Sequence, residues 1–352
     1  MEVGSEVMVN TAEQQSVRGR IIDIIENKAY IHFETQDRRL DKYFDISQLT
    51  ALPPPLVVDE ERKKKDQEKL EEEKEKIRNI DSVQVGKYVI DAWYYSPYPV
   101  NKSDRKLYIC EYCMKYFTSL KDLRSHYAEI FERKPPGREI YRNGDISIFE
   151  VKGKKQKMFC QCLSLLGKLF IEHKNSYFDV DSFNYYVLCE CDDYGAHLAA
   201  FYSVESRMVE NNLSCIVVLP PYQKKGYGRL LVSLSYEISF RSGVILGPER
   251  PLSDMGRTLY LSYWRDVVIS SILKSPDEST DLNVISAKTW LKKDDIVEAM
   301  QSAGLMVRAS RTAPLTIDMD LIHQVKAKYE DVHLKPHINP DLLLWFKKGS
   351  FN

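Results

Sequence analysis

No stretch of this 352-residue chain approaches the roughly 18 consecutive apolar residues that a membrane helix needs. Its first residues, MEVGSEVMVN, lack the basic-then-apolar layout of a secretory signal. The expectation is a protein with no membrane partner. A surplus of one charge is missing as well: 50 lysines and arginines stand against 51 acidic residues. That balance excludes a globally basic nucleic-acid coat, so any polyanion site has to be local. The seven cysteines are an odd number. Without a secretory signal they point to reduced thiols in the cytosol or nucleus rather than to a disulfide framework. No internal repeat is present.

What is there begins with short alternating runs, SEVMVNT, VRGRIIDIIE, KAYIHFET and DKYFDISQLT. β-branched residues and alternation suit a small twisted all-β sheet or barrel over residues 1–52. ALPPPLVVDE breaks regular structure, and ERKKKDQEKLEEEKEKIRNI has almost no apolar face. Residues 53–80 therefore read as a charged linker, either a solvated helix or a disordered one. A continuous globular region follows. KMFCQCLSLLGKLF has a helical period, and after residue 265 helical patterns dominate, with Ser286 as a cap candidate. Two such helices and then TAPLTIDM suggest a winged-helix-like arrangement over 266–350.

SCIVVLP is a buried-strand candidate, and RLLVSLSYEIS places Leu230, Leu234 and Ile238 on one helical face. The intervening PYQKKGYG therefore joins a strand to a helix N-terminus, where unpaired backbone N–H groups and the helix dipole favour an anion. Gly226 and Gly228 allow close approach to the backbone, and Lys224, Lys225 and Arg229 add positive charge. A phosphate or pyrophosphate is the expected guest. The Walker spacing is absent, and so is the third glycine of the dinucleotide fingerprint.

What fits is Gln223-x-x-Gly226-x-Gly228, the pattern with which acetyltransferases hold coenzyme A. SCIVVLPPYQKKGYGRLLVSLSYEIS, GPERPLSDMGRTLYLSYW, LFIEHKNSYFDVDSFNYYVL, GKYVIDAWYYSPYP, KLYICEYCMKYF and NPDLLLW together closely resemble the MYST family of histone lysine acetyltransferases, over residues 80 to 346. AYIHFETQDRRLDKYFDISQL resembles the chromo barrel of one subgroup. The resemblance implies a mixed-sheet α/β acyl-CoA N-acyltransferase core (151–265). A finger-containing part (81–150) would precede the core, the winged-helix-like part would follow it, and together they would form one acetyltransferase domain over 81–350.

The resemblance also implies site residues. Glu249 becomes the general base that deprotonates the substrate lysine, and burial would raise its carboxylate toward the operating pH. Cys215 becomes the cysteine beside the acetyl thioester. Two mechanisms stay open: a covalent acetyl-cysteine, or direct attack by lysine in a ternary complex, which is favoured. Ile216, Val217, Val218 and Leu219 would pair with the pantetheine arm, and a main-chain N–H there would stabilise the oxyanion. Gln223, Lys224, Lys225, Gly226, Tyr227, Gly228, Arg229 and Leu230 would cradle the pyrophosphate. Ser253 would contact acetyl-CoA while capping a helix. Lys174 would be acetylated by the enzyme itself. Tyr30, Phe33 and Tyr43 are cage candidates for a methylated lysine, with RNA or protein contact as the alternative. Expected partners are histone tails and nucleosomes, the tail of histone H-four first, within a nuclear multiprotein complex. A non-catalytic chromatin or nucleic-acid binding subunit and an acetyltransferase for non-histone lysines are the competing readings.

In one place the chain leaves its family. Cys110-x-x-Cys113, twelve residues and His126 supply three zinc ligands. The fourth, four residues after His126, should be cysteine, and Ile130 stands there. Glu129 and Glu132 are poor substitutes for thiolate in a structural site, and Cys160 and Cys162 qualify only if the core folds back onto the finger. The expectation is a finger held by its apolar residues, among them Tyr112 and Leu123, with zinc absent or weakly bound.

Overall fold

Five short strands open the chain: β1 (Glu6–Asn10), β2 (Ser16–Ile25), β3 (Lys28–His32), β4 (Lys42–Asp45) and β5 (Leu49–Ala51). All four ladders are antiparallel, in the order β4-β3-β2-β1-β5. The computed structural model describes residues 1–10, 16–53, 60–101, 103–172, 178–207, 210–274, 280–307, 316–325 and 336–346. Lys174 lies outside the described residues. The chain divides into two units. One comprises Met1–Tyr108, Phe117–Leu120 and Ser164–Asn175; the other comprises Ile109–Tyr116, Lys121–Leu163 and Ser176–Asn352.

In the first unit, strand alternation decides which side chain goes where. Val7, Val9, Ile21, Ala29, Ile31, Phe33, Phe44 and Leu49 form one core. Ile22 and Tyr30 point the other way and meet Leu70 of helix α1 (Glu60–Glu75), with Tyr43 and Ile77 alongside. Among the described residues no ladder joins β4 to β5, so the expected barrel is an open five-stranded sheet.

Two further expectations are corrected here. Tyr30 and Tyr43 are cross-strand partners with rings 5.1 Å apart, but Phe33, an odd number of residues from Tyr30, belongs to the opposite core. The three aromatics therefore form no common cage. The charge run, in turn, is a helix but no mere linker. Leu70 is only 8% exposed, and Lys69 and Asp66 pair with Glu34 (3.2 Å) and Arg20 (3.9 Å) of the sheet. Glu73 pairs with Arg38. One leucine among charges is enough to dock a helix whose polar neighbours find partners on the surface it covers.

After α1 come the antiparallel pair β6 (Ser82–Val85) and β7 (Tyr88–Asp91), then β8 (Lys106–Ile109), β9 (Tyr116–Phe117) and α2 (Leu120–Glu129). The second unit is built on β10 (Arg138–Asn143), β11 (Ile146–Lys152), β12 (Phe183–Asp192), β13 (Gly195–Glu205) and, beyond β14 (Asn211–Leu213), β15 (Cys215–Val218). These pair antiparallel in the order β10-β11-β12-β13-β15. Helix α3 (Lys157–Lys168) connects β11 to β12, as its apolar period predicts. β12 and β13 are buried on both faces through most of their length.

Helix α4 (Tyr227–Ser242) is buried on nearly every side, including Ser233, Ser235 and Ser239. The last two serine hydroxyls donate to carbonyls of their own helix, at 2.8 and 3.0 Å. After β16 (Gly247–Pro248), helix α5 (Asp254–Leu273) packs on α4. The fully buried Trp264 donates its Nε1–H to the Tyr236 hydroxyl at 2.7 Å. Helices α6 (Leu282–Thr289) and α7 (Lys293–Ser302), the antiparallel pair β17 (Met306–Val307) and β18 (Thr316–Ile317), and α8 (Met319–Val325) complete the described elements. The helix–helix–strand order expected of this region is present.

Ser286 caps nothing. It sits inside α6, donates to the Leu291 carbonyl at 2.6 Å, and leaves the cap to Asp281, which accepts from the Asn283 and Val284 N–H groups. Asp281 occupies the N-cap position itself, whereas Ser286 lies beyond the first turn, where the helix N–H groups are already paired.

The docked α1 generates the first expected outcome. Leu70→Ala removes the one buried side chain among the described residues of the helix and should cost about 2–3 kcal/mol locally. Hydrogen exchange in the whole chain should quicken over α1 and over Ile22 and Tyr30, and stay unchanged over β12 and β13. Unchanged exchange over α1 would show that the ion pairs alone hold the helix.

Candidate active site

The site begins with a strand that changes partner. Over Asn211–Leu213 the chain runs parallel to β16, pairing Asn211 with Gly247 and Leu213 with Pro248. Over Cys215–Val218 it runs antiparallel to β13 instead. The Leu219 N–H donates to the Ala199 carbonyl at 3.0 Å. Because antiparallel residues alternate sides, the backbone groups of Cys215, Val217 and Leu219 face β13, and those of Ile216 and Val218 face the open edge. Of the four residues expected to meet a pantetheine arm, two therefore offer main-chain groups there. Gln223 Nε2 already donates to the Val218 carbonyl at 3.1 Å.

Glu249 follows β16 directly, and its N–H donates to the Leu213 carbonyl at 2.8 Å. The backbone thus fixes it one strand spacing, ~4.8 Å, from a residue two before Cys215. The neighbouring Arg250 anchors the turn, reaching Asp295 at 2.6 Å and Glu298 at 2.9 Å, and Arg257 reaches Glu298 at 3.1 Å. Burial pushes the Asp295 carboxyl up, against the pull of Arg250. Glu249 itself is exposed, so the apolar enclosure expected around it is not supplied by its protein neighbours. Cys215 is half-buried. Ser253 caps α5 by accepting from the Gly256 N–H at 3.1 Å, as its position predicts.

The glycine loop leads from a short 3-10 turn, Pro220–Tyr222, into α4. Lys224 is held at φ +63° and Gly226 at φ +86°. The first bond of the helix runs from the Leu230 N–H to the Gly226 carbonyl at 3.0 Å. The N–H groups of Tyr227, Gly228 and Arg229 precede it and have no partner within the helix. A helix end of this kind presents unpaired N–H groups that favour an anion.

The reasons for its residues differ from the expectation, however. A Cβ at Gly226 would lie 2.3 Å from Cγ of Pro336, so this glycine is required by its dihedral and by a packed proline. A Cβ at Gly228 would meet only Leu259 Cδ2 at 3.2 Å and Val218 Cγ2 at 3.5 Å. The Arg229 guanidinium turns inward, 3.1 Å from the fully buried Asp266 and over the Tyr263 ring. Its side chain is a core ion pair, and only its backbone faces the loop. Lys225 is paired with Glu190 at 2.7 Å, and the Tyr227 hydroxyl donates to the same carboxylate. Glu190, Asp266, Asp295 and Pro336 shape this site, yet nothing in the local sequence marks them, because each acts across tens of residues.

In the finger, Cys113 Sγ lies 3.2 Å from His126 Nε2. The donor atoms of Cys110, Cys113 and His126 all fall within 4.8 Å of one another. The buried Cys110 hydrogen-bonds Cys113, which holds the Cys113 thiol down to about 5 with help from His126, and pushes Cys110 up. Two sulfurs and an imidazole suit zinc, and three of the four positions of a structural site are supplied. Glu111, next to Cys110, is tied to His197 at 3.0 Å, and His197 to Asp192 at 2.9 Å. With Tyr112 packed edge-on against Tyr127, these contacts brace the finger loop beside the three donors.

Comparison with known proteins shows the family. Residues 134–343 match the MOZ/SAS family and residues 77–129 the MYST family zinc finger domain. The chain is 45% identical over 243 residues to histone acetyltransferase MOF of Drosophila melanogaster, which covers 67% of this chain and 29% of the fly protein. It is 37% identical over 345 residues to putative MYST-like histone acetyltransferase 1 of Oryza sativa subsp. japonica, covering 87% and 76%. It is 39% identical over 277 residues to histone acetyltransferase esa1 of Emericella nidulans, covering 78% and 54%.

The two loop glycines should separate in experiment. Gly226→Ala forces a side chain into a left-handed conformation, at about 1–2 kcal/mol, and against Pro336, so both Tm and acetyl-CoA affinity should fall. Gly228→Ala meets only a flexible leucine end and should leave Tm nearly unchanged while weakening acetyl-CoA binding in calorimetry. Equal affinity for wild type and Gly228→Ala would remove the loop from the binding site.

Proposed function

The chain belongs to the MYST family of acetyltransferases, and from that premise we propose that it transfers acetyl from acetyl-CoA to lysine side chains of histone tails, the tail of histone H-four first. The observation that carries the reading is the open edge of β15, which runs from Cys215 to an anion-receiving helix end and has Glu249 pinned beside its start. An extended amide-bearing arm fits an edge with N–H and C=O groups at Ile216 and Val218. A pyrophosphate fits the N–H groups of Tyr227, Gly228 and Arg229.

Catalysis by these residues is direct transfer. The substrate ammonium gives its proton to the Glu249 carboxylate, since only the neutral amine is nucleophilic and free lysine holds its proton up to pH ~10.4. The amine attacks the thioester carbonyl, the Ile216 N–H steadies the oxyanion, and collapse expels the coenzyme thiolate, which takes up a proton. Glu249 is exposed before substrate arrives, so the incoming lysine stem and acetyl-CoA supply its desolvation. Cys215 lines the thioester position. Cys110, Cys113 and His126 would hold zinc, which supplies cross-linking of the finger and no chemistry at the acetyl group. We assign the N-terminal sheet to contact with RNA or protein and the whole chain to a nuclear complex acting on nucleosomes.

Glu249→Gln should retain acetyl-CoA binding and lower turnover on core histones by roughly 10²–10⁴-fold. The deficit should narrow as pH rises, because the lysine then deprotonates unaided. Mass spectrometry of histones incubated with labelled acetyl-CoA reads both rate and target. Near-normal turnover at neutral pH would place the base elsewhere, and loss of all activity in Cys215→Ala would favour the covalent route.

A further inference from the structure

We propose that the Cys110–Cys113–His126 centre holds zinc through three protein ligands and leaves the fourth position open to exchangeable ligands from solution. The inference does not depend on the acetyl-transfer reading. Three donors converge within 4.8 Å of one another, and Cys113 Sγ and His126 Nε2, at 3.2 Å, are already near the ~3.5 Å that Zn–S and Zn–N bonds impose on a tetrahedron. A fourth donor four residues after His126 would stand just past the end of α2, and at that position the half-buried Ile130 offers only hydrocarbon.

The alternatives nearby do not close the set. Glu129 and Glu132 are exposed, and neither joins the convergent group. Cys160 is buried on α3. Cys162, two residues on, is half-buried and feels the Cys113 sulfur electrostatically, but its own sulfur is outside the convergent group. Cys113 and His126 are themselves half-exposed, so the fourth position is reachable from solvent. A zinc ion with three protein ligands and one exchangeable position is the open arrangement, as opposed to the closed structural one. An added thiol is therefore a probe of that position.

The test uses the whole chain loaded with cobalt(II) in place of zinc, read by its sulfur-to-cobalt charge-transfer band. Wild type should show the intensity of two thiolates and rise to three on addition of glutathione. Ile130→Cys should show three without glutathione and should not respond to it. In chelator competition, Ile130→Cys should bind zinc at least on the order of 10²-fold more tightly, since losing merely an outer-shell partner already costs 10–100-fold. Three thiolates in unsupplemented wild type, reduced to two by Cys162→Ser, would overturn the proposal in favour of a closed site completed by α3. Cobalt stripped by glutathione, or equal zinc affinity in wild type and Ile130→Cys, would overturn it as well.

Discussion

A strand that pairs to one side over Asn211–Leu213 and to the other over Cys215–Val218 has to leave an unpaired backbone edge between its two neighbours, and sheets do not expose such edges without consequence. Here the edge begins where β16 diverges and ends where α4 starts. One change of hydrogen-bonding partner near Ser214 therefore creates both a polar slot and its terminal anion site. The same divergence sets the acid–base residue. Glu249 is the first residue after the short parallel ladder ends, so its backbone is still tethered to Leu213 while its side chain is released.

The slot stays open only because its walls cannot collapse into it. Behind it, α4 is embedded on nearly every side and tied to α5 through Trp264 and Tyr236, and through Arg229 with Asp266. A buried pair of this kind contributes little net stability but is very costly to break from one side, so it fixes the register of α4 against α5. In front, Ser233 accepts from the Ile338 N–H and contacts His337, and Arg241 donates to the carbonyls of Pro340, Leu343 and Trp345. The segment 336–346 is thereby laid along α4, and Pro336 comes to rest on Gly226.

How much of this the sequence discloses depends on range. SCIVVLP followed by a glycine loop and a helical period is local information, and the strand, loop and helix stand where those patterns put them. Cys110, Cys113 and His126 are equally local, their convergence following from a tight turn and one helix. Residues that meet across the chain leave no such mark. The pairing of Glu249 with Leu213, of Arg229 with Asp266 and of Gly226 with Pro336 depends on the completed topology, so the packing roles of Gly226 and of the Arg229 side chain have no local signal. Phe33 is a different case: its parity relative to Tyr30 was visible in KAYIHFET, and strand alternation alone separates the two. Leu70 was visible too, but a lone leucine among charges carries no periodicity to read.

The docking of α1 on Ile22 and Tyr30 also changes what an affinity measured on the N-terminal sheet would mean. A ligand for the Tyr30–Tyr43 face competes with a helix that is covalently attached and therefore never diluted away. Its apparent dissociation constant is the intrinsic one divided by the fraction of molecules in which the helix has left, a tenfold loss for about each 1.4 kcal/mol of docking.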